Sequence, residues 1–237
     1  MTQEERIHAN AGALVDVLTK LTFRIAKWSK QQKLKGRSSG FLYKNPKIDR
    51  PVLITAGHKM PKNGCFIETR IQDDKGHMLQ INAGKFKVFY KQSKIDIAFS
   101  ELPIELYQKD IEKFDGIDFI QYQAPFKNAD AKEPHAFAVI NNYEFTKDEN
   151  GYVVPVYLCY EVGMELIRQD DNFNYFKPNR EFQGDEYYEG ASGAPIADSE
   201  GAISSILVSG DKKEGILKAF RLDNFDFDSH LNTSLKS

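Results

Sequence analysis

A chain of 237 residues with 41% hydrophobic and 12% aromatic side chains can bury a core of ordinary size, in one domain or two small ones, which excludes global disorder. Its 32 basic and 34 acidic residues leave a formal net charge of −2 without a basic block that could neutralise phosphates, so nucleic acid is not the expected partner. The polar opening MTQEERIHANAG offers no signal peptide, no later run reaches the roughly 18 apolar residues of a membrane span, and two cysteines, Cys65 and Cys159, are few for a disulfide-stapled secreted domain; a cytoplasmic protein with reduced core thiols is expected.

Thr2 followed by Glu5 fits a capping box, and Ile7, Ala11, Leu14, Leu18 and Leu21 recur at three- and four-residue spacing, which predicts a helix over about residues 3–19. From Leu21 the period becomes two: Leu21, Phe23 and Ile25 alternate with Thr22, Arg24 and Ala26, the pattern of a half-buried strand. Short runs rich in β-branched and aromatic residues follow at Gly40–Tyr43, Val52–Ala56, Cys65–Ile71, Lys85–Tyr90 and Ile95–Glu101. IELYQKDIEKFDG, with Ile104, Tyr107, Ile111 and Phe114 at helical spacing, reads as a connection between two β units. Strands resume at Phe119–Gln123, His135–Ile140, Val153–Val162, Ala194–Ala197, Ala202–Val208 and Gly215–Arg221, divided by turn signals such as Glu149-Asn150-Gly151 and Ser199-Glu200-Gly201. Residues 168–189, RQDDNFNYFKPNREFQGDEYYE, read as a long loop, and long loops inside compact β domains carry function. The tail after Leu222 reads as a short helix or frayed end. Repeated short strands without intervening long helices argue for antiparallel barrels, so the fold class is mainly β.

Three segments carry chemistry. Gly190-Ala191-Ser192-Gly193-Ala194-Pro195 is a small-residue turn from which a nucleophilic hydroxyl can project while neighbouring amides face the oxygen that becomes negative during attack. Pro51-Val52-Leu53-Ile54-Thr55-Ala56-Gly57-His58 is an apolar strand ending in a histidine. In Lys94-Ile95-Asp96-Ile97-Ala98-Phe99-Ser100-Glu101-Leu102 a carboxylate interrupts a strand suited to burial, and it needs a hydrogen-bond donor such as an imidazole N–H to offset its desolvation. Each segment alone has an ordinary structural reading: a hairpin turn, a surface or core histidine, a satisfied buried acid.

Together, T-A-G-H, D-I-A-F-S-E-L and G-A-S-G-A-P, in the order His, Asp, Ser, resemble the trypsin/chymotrypsin-like serine peptidases over roughly Ser38 to Phe220. The resemblance implies two antiparallel six-stranded β-barrels behind an N-terminal helix: residues 1–20 as helix, 21–103 as a first barrel carrying His58 and Asp96, 104–117 as connection, 118–222 as a second barrel carrying Ser192, and 223–237 as tail. It implies Ser192 as nucleophile, His58 as its base, Asp96 as the group orienting His58, and the amides of Gly190 and Ser192 as oxyanion donors, with no metal or organic cofactor. Val208, Ser209 and Gly210 would pair with an extended peptide substrate by strand addition. Glu186, six residues before the nucleophile, falls where trypsin-like members hold the acid that selects Lys or Arg; an acidic solvated loop is its other reading.

Two departures stand out. Ala191 replaces the Asp that captures a newly cut N-terminus in secreted members, and Lys59 replaces a cysteine common after their histidine, so neither cleavage activation nor that disulfide is expected. An inactive module of the same fold that binds protein partners, and a hydrolase of esters or of its own chain, are the competing functions. His8, His77, His135 and His230 lack the close spacing of a metal cluster and are assigned no role.

Overall fold

The structure is a computed structural model that describes residues 3–29, 33–44, 51–58, 60–61, 64–72, 78–91, 95–101, 121–142, 146–147, 153–154 and 157–231. Helix α1 (Gln3–Leu21) runs two residues past its expected end and passes directly into β1 (Thr22–Trp28). The first sheet continues with β2 (Leu34–Lys44), β3 (Pro51–Thr55), β4 (Cys65–Gln72), β5 (Met78–Asn82), β6 (Lys87–Lys91) and β7 (Ile95–Glu101). Its order is β5-β4-β1-β2-β3-β7-β6, and β8 (Gln121–Tyr122) pairs in parallel with β2 at Leu42 and Tyr43, beyond the point where β1 begins opposite Phe41. The two outer strands, β5 and β6, are consecutive in the chain, and the sheet stays open among the described residues.

The second unit is a closed barrel of six strands: β9 (His135–Asn142), β12 (Tyr157–Gln169), β13 (Phe173–Lys177), β14 (Pro195–Asp198), β15 (Ile203–Asp211) and β16 (Ile216–Arg221). A small ribbon of β10 (Thr146–Lys147) and β11 (Val153–Val154) stands apart, and a short helix α2 (Phe227–Leu231) closes the described chain. A mainly β fold is thus observed. Three strands escaped the periodicity reading, β5, β10 and β13; β13 lies inside the segment 168–189 expected to be loop, where its aromatic residues enter the barrel wall. The helical connection expected at 104–117 lies outside the described residues.

Many strands read as unbroken apolar runs because both of their faces are covered. In β3, Leu53 enters the interior of the first sheet while Val52 and Ile54 enter a core between the sheets; in β9, Phe137 and Val139 fill the closed barrel while Ala136 and Ala138 face that same intervening core. Alternation therefore sorts side chains between two apolar cores instead of between core and water. Strand β1 shows the consequence. Thr22 to Ala26 are all buried, not half-buried as expected, and Arg24 is tolerated because Glu68 on β4 lies 3.2 Å from its Nε. Leu18 and Leu21 of α1 insert into the intervening core beside Ile54, Phe99, Ala138 and Ile206.

Candidate active site

His58 stands three residues past the end of β3, and Asp96 is the second residue of the neighbouring β7, to which β3 is paired from Val52 opposite Glu101 to Thr55 opposite Ala98. Gly57 makes the approach possible. A Cβ there would meet Ile97 O at 2.7 Å and Phe89 O at 2.9 Å, so only glycine lets the chain end of β3 lie this close to β7 and β6. The Asp96 carboxylate accepts from the His58 backbone N–H at 2.8 Å and from Nδ1 at 2.9 Å. Because a carboxylate only accepts, the proton of the neutral ring sits on Nδ1 and Nε2 is left as an acceptor. Nε2 lies 3.1 Å from Ser192 Oγ. Asp96 is 8% exposed, and its three bonds to His58 offset its desolvation. Tyr90, on β6 and largely exposed, sets its ring against the imidazole with centroids 6.3 Å apart.

Ser192 stands in the turn before β14, between glycines with positive φ, Gly190 at 83° and Gly193 at 93°. Gly193 N donates to Leu207 O at 2.7 Å, and a Cβ on Gly193 would collide with Ser39 O and with the Thr55 hydroxyl, so a larger residue fits neither the backbone nor the space. The turn is tied across the sheets. Ser39 N donates to Ser192 O at 2.7 Å, Ser39 Oγ donates to Gly190 O at 2.7 Å, and Thr55 Oγ1 donates to Ser39 O at 2.6 Å. The amides of Ala191, Gly193 and Ala194 each donate within the fold, whereas among the described residues those of Gly190 and Ser192 have no acceptor. They are the two amides the sequence nominated as oxyanion donors.

The Ser192 hydroxyl also lies 3.3 Å from Val208 O. Val208 is the extra residue of a bulge in β15, where Leu207 pairs with Ala219 and Ser209 with Lys218. Strand β14 accompanies β15 only from Ile203 to Ile206, so beyond Leu207 no described strand occupies that edge past Val208, Ser209 and Gly210. Beside it opens a cavity of about 160 Å³ lined by Asp185, Tyr188, Ser192, Leu207, Ser209, Gly210 and Leu217.

Glu186 does not line this cavity; Asp185 does. Residues 185–190 form a turn, with Glu189 N donating to Glu186 O at 3.4 Å, and Glu186 and Glu189 are both exposed. Side chains radiate in a turn, so the carboxylate reached by counting back six residues from Ser192 and the one that lines this cavity differ by one position, and the exposed Glu186 agrees with its other reading, an acidic solvated loop. Sequence reading also passed over Ser39, Thr55, Tyr188 and the buried Glu161. No local pattern marks them, because each matters through a partner distant in the chain.

The cysteines are both free and buried, and burial pushes the Cys65 thiol up to about 11 and the Cys159 thiol up to about 12. His135 is buried with its pKa lowered by that burial, against the opposing hydrogen bond to Asp130 O and nearby carboxylates. Among the described residues no helix is long and apolar enough to cross a membrane.

No family model matches the sequence, and no curated protein matches it. Solved structures do. A Glu endopeptidase in complex with MPD is similar at 12% identity and TM-score 0.53, over 91% of this chain and 90% of that one. The serine endoprotease from Yersinia pestis is similar at 11% identity and TM-score 0.52, over 94% of this chain and 64% of that one. The catalytically active tobacco etch virus protease complexed with product is similar at 12% identity and TM-score 0.52, over 92% of this chain and 79% of that one. One closed six-stranded barrel, an open β sheet packed against it and this likeness lead to one conclusion: the chain has the trypsin/chymotrypsin-like serine peptidase fold.

Proposed function

We propose that the chain is a serine endopeptidase that hydrolyses peptide bonds through an acyl-enzyme intermediate. The supporting observation is the single line of contacts from Asp96 through both ring nitrogens of His58 to Ser192 Oγ. In this reading His58 Nε2 takes the hydroxyl proton as Oγ attacks the scissile carbonyl, Asp96 stabilises the imidazolium, and the same Nε2 returns the proton to the leaving amine. The amides of Gly190 and Ser192, which have no acceptor among the described residues, receive the developing oxyanion, each worth on the order of 3 kcal/mol. An extended peptide adds to the open edge of β15 at Val208–Gly210, and its side chain preceding the cut enters the neighbouring cavity. Leu207, Leu217 and Tyr188 suit an apolar stem, and Asp185 supplies a negative charge, which favours Lys or Arg. Neither metal nor organic cofactor has a part in this mechanism.

Intact-mass analysis after treatment with a fluorophosphonate tests the proposal. One adduct on Ser192 is expected, absent in Ser192→Ala, together with a loss of peptide hydrolysis of roughly a million-fold in that variant. An unlabelled wild-type protein, or undiminished turnover in Ser192→Ala, overturns it, and the first result would favour the inactive protein-binding module.

A further inference from the structure

The segment that walls the cavity, residues 178–189, is fastened to β12 at two neighbouring points, the Tyr160 backbone and the buried carboxylate of Glu161, and only the second carries a charge. Glu161 on β12 is 2% exposed and sits beside a bulge of that strand, between Glu161 and Met164. Arg180 Nε donates to its two oxygens at 3.2 and 3.1 Å, and the Tyr188 hydroxyl donates to Oε1 at 2.8 Å. Arg180 Nη2 continues to Tyr160 O at 2.8 Å and to the Tyr187 hydroxyl at 2.6 Å, and that hydroxyl donates to Tyr160 O at 3.0 Å. Burial opposes the guanidinium charge, but the bond to Glu161 overrides it and holds Arg180 protonated; burial and Glu161 together drive the Tyr188 phenol upward, so it stays a donor.

This network ends at the site. Tyr188 lines the cavity, its carbonyl accepts from Ala191 N at 3.0 Å, and Ala191 precedes Ser192. Phe182, on the same segment, packs on Tyr188 with centroids 4.9 Å apart and covers Gly210, where a Cβ would meet its ring at 2.7 Å. One wall of the cavity, Tyr188, is thus bonded to the ion pair directly, and the other, the β15 edge under Phe182, meets it through the packing of Phe182 on Tyr188. At the residue before the nucleophile no charge is present, since Ala191 is wholly buried and apolar.

We propose that Glu161 and Arg180 are positioning residues that keep residues 181–192 in the substrate-competent arrangement, through Tyr188, so that the catalytic turn and the cavity form together. The inference rests on the peptidase reading. Removing the guanidinium leaves Glu161 as a buried charge that must find water, and the cheapest route to water is release of the segment that covers it. Loss of the Tyr188 hydroxyl is milder, because Arg180 still neutralises Glu161.

The test compares Arg180→Gln and Tyr188→Phe with wild type and with Arg221→Gln, which breaks an ion pair to Asp223 on the same barrel without touching the segment. Three quantities are read at a temperature where all four are folded: hydrogen exchange of peptides spanning 178–194, the rate of fluorophosphonate labelling, and kcat and KM on a peptide substrate. Arg180→Gln should raise exchange in that segment alone and lower labelling and kcat/KM by at least a hundredfold. Tyr188→Phe should lower kcat/KM about tenfold with most of the change in KM, and Arg221→Gln should leave both rates within twofold of wild type. Unchanged exchange at 178–194 in Arg180→Gln, or equal losses in Arg180→Gln and Arg221→Gln, overturns the proposal. Should Arg180→Gln fail to fold, Tyr188→Phe decides alone: wild-type exchange and kinetics in it overturn the proposal. A wild-type protein that refuses the probe brings down the peptidase reading instead, and the exchange data still judge the brace.

Discussion

Two properties of this molecule are expected to turn on single groups. His135 Nε2 donates to Asp130 O at 3.0 Å, which leaves Nδ1 as a buried nitrogen with no partner among the described residues, so protonation there would place an N–H where none of them accepts it. Its folded pKa is accordingly below the ordinary value near 6.5, for burial above all. The unfolded chain therefore takes up this proton at a higher pH than the native one. The neutral ring's contribution is complete above about pH 6.5 and is lost as pH falls below it, with a limiting slope of about 1.4 kcal/mol per pH unit. Urea titrations at pH 7.5 and 5.5 should show a smaller decline for His135→Gln than for wild type; identical declines would remove His135 from the acid response. The second property is substrate choice. Asp185 is solvent-exposed, so its attraction for a Lys or Arg guest is worth about 1 kcal/mol, and Asp185→Asn should lower kcat/KM for such peptides about fivefold while Glu186→Gln changes little. A peptide-library profile dominated by acidic or apolar residues before the cut would dismiss this role for Asp185.

Among the elements, β2 has the widest reach. It pairs with β1 and β3 inside its own sheet and, at Ser39, holds the turn of the other barrel by a backbone bond to Ser192 O and a side-chain bond to Gly190 O. Ser39→Ala keeps the first and deletes the second. The stability cost of one such hydrogen bond is about 1 kcal/mol. The expected effect on kcat is larger than that figure suggests, about tenfold, because the freed carbonyl lies between the two amides assigned to the oxyanion. A thermal shift with wild-type kcat would show the bond to be structural only. The run Gly40–Tyr43 was legible as a strand ahead of the one that ends in His58, yet nothing local announced that Ser39, just before it, would meet a residue about 150 positions away.

The whole molecule depends on the core between the two sheets. Leu18 and Leu21 of α1 are buried there with residues of both sheets, so the leading helix is part of the joint and not an appendage. Leu18→Ala should cost about 2–5 kcal/mol, as deletion of a fully buried Leu does, and unfolding should remain a single transition because both sheets share the damaged core. Calorimetry with two separated transitions would refute the shared core. Removal of residues 1–20 should for the same reason destabilise the protein without raising its activity; activation on trimming would identify the helix as an inhibitory segment.

Period-two runs and turn residues announced the mainly β fold, since alternation of apolar side chains is a property of neighbouring residues. The segments around His58, Asp96 and Ser192 could be named because the three motifs in that order resemble one family, although each alone, a strand end with Gly57, a strand with a lone carboxylate, a turn with Gly190 and Gly193, has an ordinary reading. Tertiary structure alone decided the rest. Which carboxylate faces the cavity was settled by the rotation of one turn, which moves Asp185 in and Glu186 out. Burial on both faces of β1 followed from β9 of the other barrel and helix α1 packing against it. The pairing of Glu161 with Arg180 and Tyr188 joins a strand to a segment some 20 residues on, and a buried charge chooses its partner by proximity in space, which the order of residues along the chain does not encode locally.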